Sequence, residues 1–361
     1  MTDQEAMDRA LALAVAGWGR VAPNPLVGAV LVRDGHIVGE GFHAEFGGPH
    51  AEVQALAACA DAAGATCVVN LEPCAHLGKT PSCADALAAA GVARVVIAVR
   101  DPDPQAGGGA DRLRAAGVEV EEGLGRRAAA ALNAPFLWAH ARPKRPFIAL
   151  KLATSLDGFI ADGQGRSQWL SGPAAREYVH WLRAGFDAIA VGRRTAEIDN
   201  PQLTVRGPVE PRVTPTRVVF ARDGAVARRL SLVETASQVP TVVFTSASGV
   251  SGTRRDLDGT GVTVRTATSL LDAARQLRDQ GVRSVLVEGG GTLATALLEA
   301  RLVDRLYWIQ APVWLGQGIP AFGARSPTLV SDAQPWSVIE RRALGPDTLL
   351  VVERELCSPA S

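Results

Sequence analysis

Short apolar runs alternate with helix-length segments twice along this chain, and a charged, proline-punctuated stretch, Arg142-Pro143-Lys144-Arg145-Pro146, divides the two series. No other feature constrains the fold as strongly, because strand–helix alternation buries its strands as a sheet between helices. In the first series Thr2 and Glu5 read as a capping box ahead of a helix carrying Met7, Leu11 and Ala14 on one face. After the Pro23-Asn24-Pro25 break, residues 27–33 and 36–42 predict a hairpin about Asp34-Gly35. A helix over 50–63, a strand over 67–71, a helix over 82–90 and a strand over 94–99 follow, then another helix–strand pair and a helix running to about His140. The second series opens with a strand at 147–152 and has further strands near 188–191, 217–220, 241–245, 284–287, 306–310 and 349–352. Its helices fall near 174–183, 270–280 and 292–299, and no internal repeat relates the halves. With 361 residues each series can bury its own core, so two α/β domains are expected, 1–144 and 145–361.

Charge excludes one class of partner. The 37 basic and 37 acidic side chains cancel, whereas a grip on nucleic acid by phosphate neutralisation needs a basic domain. Five cysteines (Cys59, Cys67, Cys74, Cys83 and Cys357), odd in number and without framework spacing, fit a reducing compartment. The start of the chain is acidic and has no basic-then-apolar signal pattern, and the nearly uncharged stretch 128–141 is too short and too interrupted to span a bilayer. These features predict a cytoplasmic protein with neither membrane nor nucleic acid as partner; a homo-oligomer, dimer or tetramer, is expected. Only three of the basic residues are lysines, Lys79, Lys144 and Lys151, and a lysine kept in so arginine-rich a chain suggests a use for its compact charge.

Two clusters carry chemistry. His50-Ala51-Glu52 at a helix start is weak alone, but Pro73-Cys74 at a strand end and Cys83 at the next helix start add two soft ligands. One imidazole and two thiolates leave a tetrahedral zinc with an open position for water, the catalytic arrangement; His76 as a fourth ligand would make the zinc structural. Zinc lowers the pKa of bound water, and Glu52 then has the task of passing the water's proton to a leaving amine. Zinc nucleobase deaminases carry H-x-E followed by P-C-x-x-C, whereas the second spacing here is C-x8-C. Gly78-Lys79-Thr80 lacks the upstream glycine of a P-loop.

The longer spacing is what becomes specific. Pro73-Cys74-Ala75-His76-Leu77-Gly78-Lys79-Thr80-Pro81-Ser82-Cys83, with Pro23-Asn24-Pro25-Leu26-Val27-Gly28 upstream, resembles the corresponding motifs of bifunctional riboflavin-biosynthesis deaminase–reductases. Ala75 and Ser82 depart from that pattern and spare every expected ligand. The resemblance implies a cytidine-deaminase-like α/β/α sandwich in which His50, Cys74 and Cys83 bind Zn2+ and Glu52 shuttles protons. It also implies that Asn24 orients a pyrimidine, while His43, His76 and Lys79 line the ring and the ribose phosphate.

The second half resembles the reductase domain of the same enzymes, an NADPH-binding α/β domain of dihydrofolate-reductase-like fold. The matching pieces are Lys151-Leu152-Ala153-Thr154-Ser155-Leu156-Asp157-Gly158, Ser167-Gln168-Trp169-Leu170, the run from Thr195 through Asp199 to Arg206, and Val287-Glu288-Gly289-Gly290-Gly291-Thr292-Leu293. Gly289-Gly290-Gly291 lies between a strand and a helix, where backbone N–H groups and the helix N-terminus can hold a pyrophosphate. A Rossmann assignment is weak, because the next strand ends in Gln310 without the acidic residue that would bind a ribose. By resemblance, Ala153, Trp169, Thr195, Asp199 and the turn Gly290, Gly291, Thr292, Leu293, Ala294, Thr295 and Ala296 contact NADPH. Lys151, Ser167, Arg183, Leu203, Arg206 and Glu288 would hold the substrate, with Lys151 and Asp199 as the cation and acid beside the reduced carbon. The reaction implied is hydrolytic deamination of a diaminopyrimidinone ribotide, then reduction of its ribosyl group to ribityl. Three other readings share parts of the pattern: a nucleic-acid base deaminase with an accessory domain, a zinc scaffold without catalysis, and a chain with only one active domain.

Overall fold

The computed structural model describes residues 1–76, 82–222, 226–323 and 335–354. The chain separates into two compact units, Met1–Ala141 and the remainder from Arg142.

In the first unit a sheet of five strands runs in the order β2-β1-β3-β4-β5, with β1 (Gly28–Arg33), β2 (His36–Phe42), β3 (Thr66–Val69), β4 (Arg94–Ile97) and β5 (Glu119–Glu122). β1 pairs antiparallel with β2 and β3, and β3, β4 and β5 run parallel. Asp34 and Gly35 both take positive φ at the hairpin turn, the geometry that matches strand twist. Alternate side chains divide the core between two faces. Cys67, Val69, Val95 and Ile97 pack with helices α2 (Ala51–Ala57), α3 (Cys83–Ala89) and α4 (Gly109–Ala115). Val68 and Val96 pack with α1 (Asp3–Val15), capped by the Thr2–Glu5 box, and with α5 (Arg126–Leu132).

Two helices differ from expectation. The helix expected over 50–63 ends at Ala57, because the Asp61 carboxylate takes the Ala63 N–H (3.0 Å) and builds a turn instead. The helix expected to run to about His140 is two, α5 and α6 (Ala134–Ala141), divided at Asn133.

The second unit holds a nine-stranded sheet of order β11-β10-β9-β8-β12-β6-β13-β16-β15, flanked by a short β14–β7 pair. Its strands are β6 (Phe147–Thr154), β7 (Phe159–Asp162), β8 (Ala188–Gly192), β9 (Thr216–Phe220), β10 (Thr241–Thr245), β11 (Thr263–Thr266), β12 (Ser284–Val287), β13 (Arg305–Gln310), β14 (Gly318–Pro320), β15 (Trp336–Leu344) and β16 (Asp347–Arg354). The strands from β11 to β13 are parallel, and β16 and β15 close the edge antiparallel. Among the described residues the unit's helices are α7 (Pro173–Ala184), α8 (Arg193–Asp199), α9 (Ser231–Glu234), α10 (Val250–Asp256), α11 (Leu270–Asp279) and α12 (Gly291–Glu299). Leu150 and Leu152 of β6 pack with α11 and α12 in one core cluster, and Val191 of β8 packs with α8 and α9 in another. The carboxyl ends of β8, β12 and β6 therefore lie side by side, the place where open parallel sheets bind ligands.

Candidate active sites

His50 is the N-cap of α2, and its side chain makes no capping bond, so the imidazole is turned to other partners. Its Nδ1 lies 3.2 Å from Cys83 Sγ and 3.6 Å from Cys74 Sγ, and the three donor atoms fall within 4.8 Å of one another. Cys83 opens α3, and its backbone N–H donates to Cys74 Sγ (3.4 Å). Hydrogen bonding from Cys83 and His50 holds the Cys74 thiol below its ordinary value, which favours the thiolate a metal needs. One nitrogen and two sulfurs converging in this way suit zinc, and His76 is exposed and not one of the group.

Glu52, in the first turn of α2, is 3% exposed, and burial pushes its carboxyl up to about 7. A carboxyl poised near neutrality beside the metal donors can both take and give a proton. His43 is also buried, and its Nδ1 faces the Pro49 carbonyl at 3.0 Å. A carbonyl can only accept, so Nδ1 carries the proton and Nε2 receives the Asn24 amide at 3.1 Å. Burial holds the His43 pKa down, which keeps this tautomer neutral. Asn24 thereby spends its Nδ2 on His43 and keeps Oδ1 as an acceptor. Lys79 lies outside the described residues.

Sequence reasoning missed Glu72. This buried carboxylate accepts the N–H groups of Asp101 (3.0 Å) and Ala110 (2.9 Å), fastening the strand end that delivers Cys74 to the start of α4. The approach is close enough that a Cβ on Gly109 would lie 1.7 Å from the Pro73 carbonyl. A charged residue inside an apolar strand end was the available signal.

In the second unit Glu288 follows β12 and lies between two cations. Arg183 of α7 reaches it twice (Nε–Oε1 2.5 Å, Nη2–Oε2 3.0 Å), and Lys151 Nζ of β6 lies 3.7 Å from Oε2. Burial alone would raise the Glu288 carboxyl, but Arg183 and Lys151 outweigh it and hold it at about 2. Arg183 also donates to the Thr204 carbonyl (3.0 Å), which joins this trio to the loop carrying Leu203 and Arg206. In that loop Asn200 and Leu203 both have positive φ, Leu203 is buried and Arg206 is exposed. His180, one helical turn before Arg183, faces the same group, and burial and the neighbouring Arg183 and Arg206 push its pKa down. It too was missed, although its spacing from Arg183 could have found it.

Ser167 donates to Asp199 at 3.1 Å. Trp169 is 70% exposed, with the Arg176 guanidinium 4.7 Å from its ring centroid. Thr195 accepts the Gly290 N–H (3.2 Å), and no side chain caps α12, so the remaining first-turn N–H groups suit an anion such as the NADPH pyrophosphate. A Cβ on Gly291 would lie 2.6 Å from the Pro320 carbonyl, so packing alone already requires this glycine. The Thr295 hydroxyl is committed to the Gly291 carbonyl (2.6 Å) and the Gly323 N–H (2.7 Å). Ala294 turns into the core, Thr292 is exposed, and Ala153, Leu293 and Ala296 are half-buried.

Residues 1–99 match the family described as the cytidine and deoxycytidylate deaminase zinc-binding region, and residues 146–349 match the RibD C-terminal domain. Riboflavin biosynthesis protein RibD of Escherichia coli (strain K12) is 41% identical over 373 residues, covering 97% of this chain and 99% of its own length. The chain belongs to the RibD family. The RibD of Actinobacillus pleuropneumoniae is 39% identical and covers 97% of this chain and 95% of its own length. A crystal structure of a diaminohydroxyphosphoribosylaminopyrimidine deaminase/5-amino-6-(5-phosphoribosylamino)uracil reductase from Thermotoga maritima superposes with a TM-score of 0.83 at 36% identity, covering 98% of both chains. RibD of Acinetobacter baumannii, form 1, gives 0.80 at 37% identity over 97% of this chain and 98% of its own. As a RibD this is a bifunctional enzyme of riboflavin biosynthesis, a zinc-dependent deaminase joined to an NADPH-dependent reductase. Its first unit is cytidine-deaminase-like and its second is a RibD reductase domain, both α/β. No helix among the described residues is long and apolar enough to cross a membrane.

Proposed function

We propose that residues 1–144 deaminate 2,5-diamino-6-ribosylamino-4(3H)-pyrimidinone 5′-phosphate and that residues 145–361 reduce the product's ribosyl chain to ribityl. The observation that carries the first step is the His50–Cys74–Cys83 donor group with buried Glu52 on the adjoining helix turn. His50, Cys74 and Cys83 hold the zinc, which when bound makes water acidic enough to attack at neutral pH. Glu52 takes the water's proton and delivers it to the departing amine, so ammonia leaves and a carbonyl replaces the amino group. Asn24 orients the pyrimidine through its Oδ1, with His43 fixing that amide. His76 and Lys79 take the ribose and phosphate side.

In the second step NADPH, when bound, would supply hydride to C1 of the ribosyl group, and a proton would go to the ring oxygen as the C1–O bond opens to the ribityl chain. Lys151, 3.7 Å from Glu288, and Asp199, tied to Ser167, stand as the cation and acid. Arg206, Arg183, Leu203 and Ser167 hold the substrate. Ala153, Trp169, Thr195 and the start of α12 hold the cofactor, its pyrophosphate at the uncapped helix end. The zero net charge favours a small phosphorylated metabolite over nucleic acid, and a cytoplasmic homo-oligomer completes the reading. Supplying the purified chain with the diaminopyrimidinone ribotide, with and without NADPH, tests it. Deaminated ribosyl product without NADPH and ribityl product with it are expected; deamination of a single-stranded oligonucleotide instead would sink it.

A further inference from the structure

Leu26 lies two residues after Asn24, and its backbone is held by two buried side-chain amides. Asn133, at the break between α5 and α6, accepts the Leu26 N–H through Oδ1 (2.8 Å) and donates from Nδ2 to the Leu26 carbonyl (2.9 Å). Asn70, just past β3, donates to the same carbonyl (2.9 Å) and accepts the Gly28 N–H (2.8 Å). A carboxamide presents the donor and acceptor of a peptide group. Asn133 therefore pairs with Leu26 as a neighbouring strand residue would, and Asn70 extends the β1–β3 ladder beyond its last pair, Ala29 with Val69. Asn133's own helices do not need its side chain. Its backbone N–H donates to the Ala129 carbonyl (3.1 Å), and its carbonyl accepts the Leu137 N–H (3.0 Å).

The neighbouring groups are fixed as well. The Val27 carbonyl accepts the His43 N–H (2.9 Å), and the Asn24 N–H donates to the Val21 carbonyl (2.9 Å). Asn24 thus projects from a segment held on three sides, and its amide meets His43. We infer that Asn133 is a positioning residue for deamination, acting through Leu26 to place Asn24, with Asn70 tying the same segment to the strand end that delivers Cys74. The inference rests on the reading that Asn24 orients the pyrimidine.

Deaminase kinetics of the full-length, zinc-loaded chain test it, with Asn133→Asp, Asn133→Leu, Asn24→Ala and the double variant Asn24→Ala/Asn133→Asp. Both Asn133 variants are expected to raise deaminase KM about tenfold while zinc content and reductase turnover stay at wild-type levels. On the Asn24→Ala background, Asn133→Asp should raise KM no further, because both act through one amide. An unchanged KM in the Asn133 variants, or effects that multiply in the double variant, would overturn the inference. So would loss of zinc or of reductase turnover, which would mark a merely structural residue. An unchanged KM in Asn24→Ala would instead sink the reading of Asn24.

Discussion

Arg183 closes a two-point ion pair on Glu288, with Nε to Oε1 at 2.5 Å and Nη2 to Oε2 at 3.0 Å. Both partners are buried, so removing Glu288 strands the Arg183 charge. Glu288→Gln is expected to abolish most reductase turnover and to leave deamination intact, as separate assays of the two steps would show.

The same pair sets an acid limit on stability. The Glu288 carboxyl is lowered from 4.5 to about 2 on folding, so its contribution is complete above about pH 4.5 and is lost as pH falls toward 2. The size is up to about 3 kcal/mol. Urea unfolding between pH 7 and pH 3 should show that acid limb in the wild type and a shallower one in Glu288→Gln. Equal slopes would contradict the assignment.

Glu52→Gln keeps the size of the side chain and removes the proton carrier. Deamination should fall by about 10²–10⁴-fold, with zinc content and NADPH oxidation on supplied deaminated intermediate unchanged. Retained deamination would assign the proton transfer elsewhere.

Chelation should divide the two activities. Stripping zinc with a strong chelator, or the His50→Ala substitution, should end deamination and leave the reductase step, with metal analysis of the untreated chain reading one zinc. A reductase lost together with the metal would disprove that separation.

Arg217 of β9 is fully buried and donates to neutral acceptors: Thr241 Oγ1 (3.0 Å), Thr235 Oγ1 (2.7 Å) and the carbonyls of Leu232 (3.1 Å), Val239 (3.0 Å) and Gln202 (3.3 Å). Burial pushes its pKa down to about 10, yet it remains charged at neutral pH. Arg217→Met strands those acceptors and should cost roughly 3–5 kcal/mol by chemical denaturation. A loss under about 1 kcal/mol would show that water replaces the guanidinium.

Regular periodicity was readable wherever burial enforces it. The strands around Val68, Val95, Leu150, Val218 and Leu286 emerged from short apolar runs, because both faces of those central strands are covered. The edge strands β11 and β15 escaped, since Thr263-Val264-Arg265-Thr266 and Glu340-Arg341-Arg342 show the polar composition of a sheet margin. At the sites, His50, Cys74 and Cys83 were legible because metal ligation demands particular atoms at strand and helix ends. Asn70 and Asn133 were not. Their work is done through backbone groups or across long separations in the chain, 107 residues between Asn133 and Leu26, which no local pattern encodes.

Asp304 takes the Arg145 guanidinium at 2.7 and 2.8 Å and the Ile148 N–H at 2.8 Å, so the first strand of the second unit is moored by its own sheet from Arg145 onward. That strand's partners in the sheet, β12 and β13, lie far along the chain, so the strand made first in this unit is among the last whose neighbours exist during synthesis.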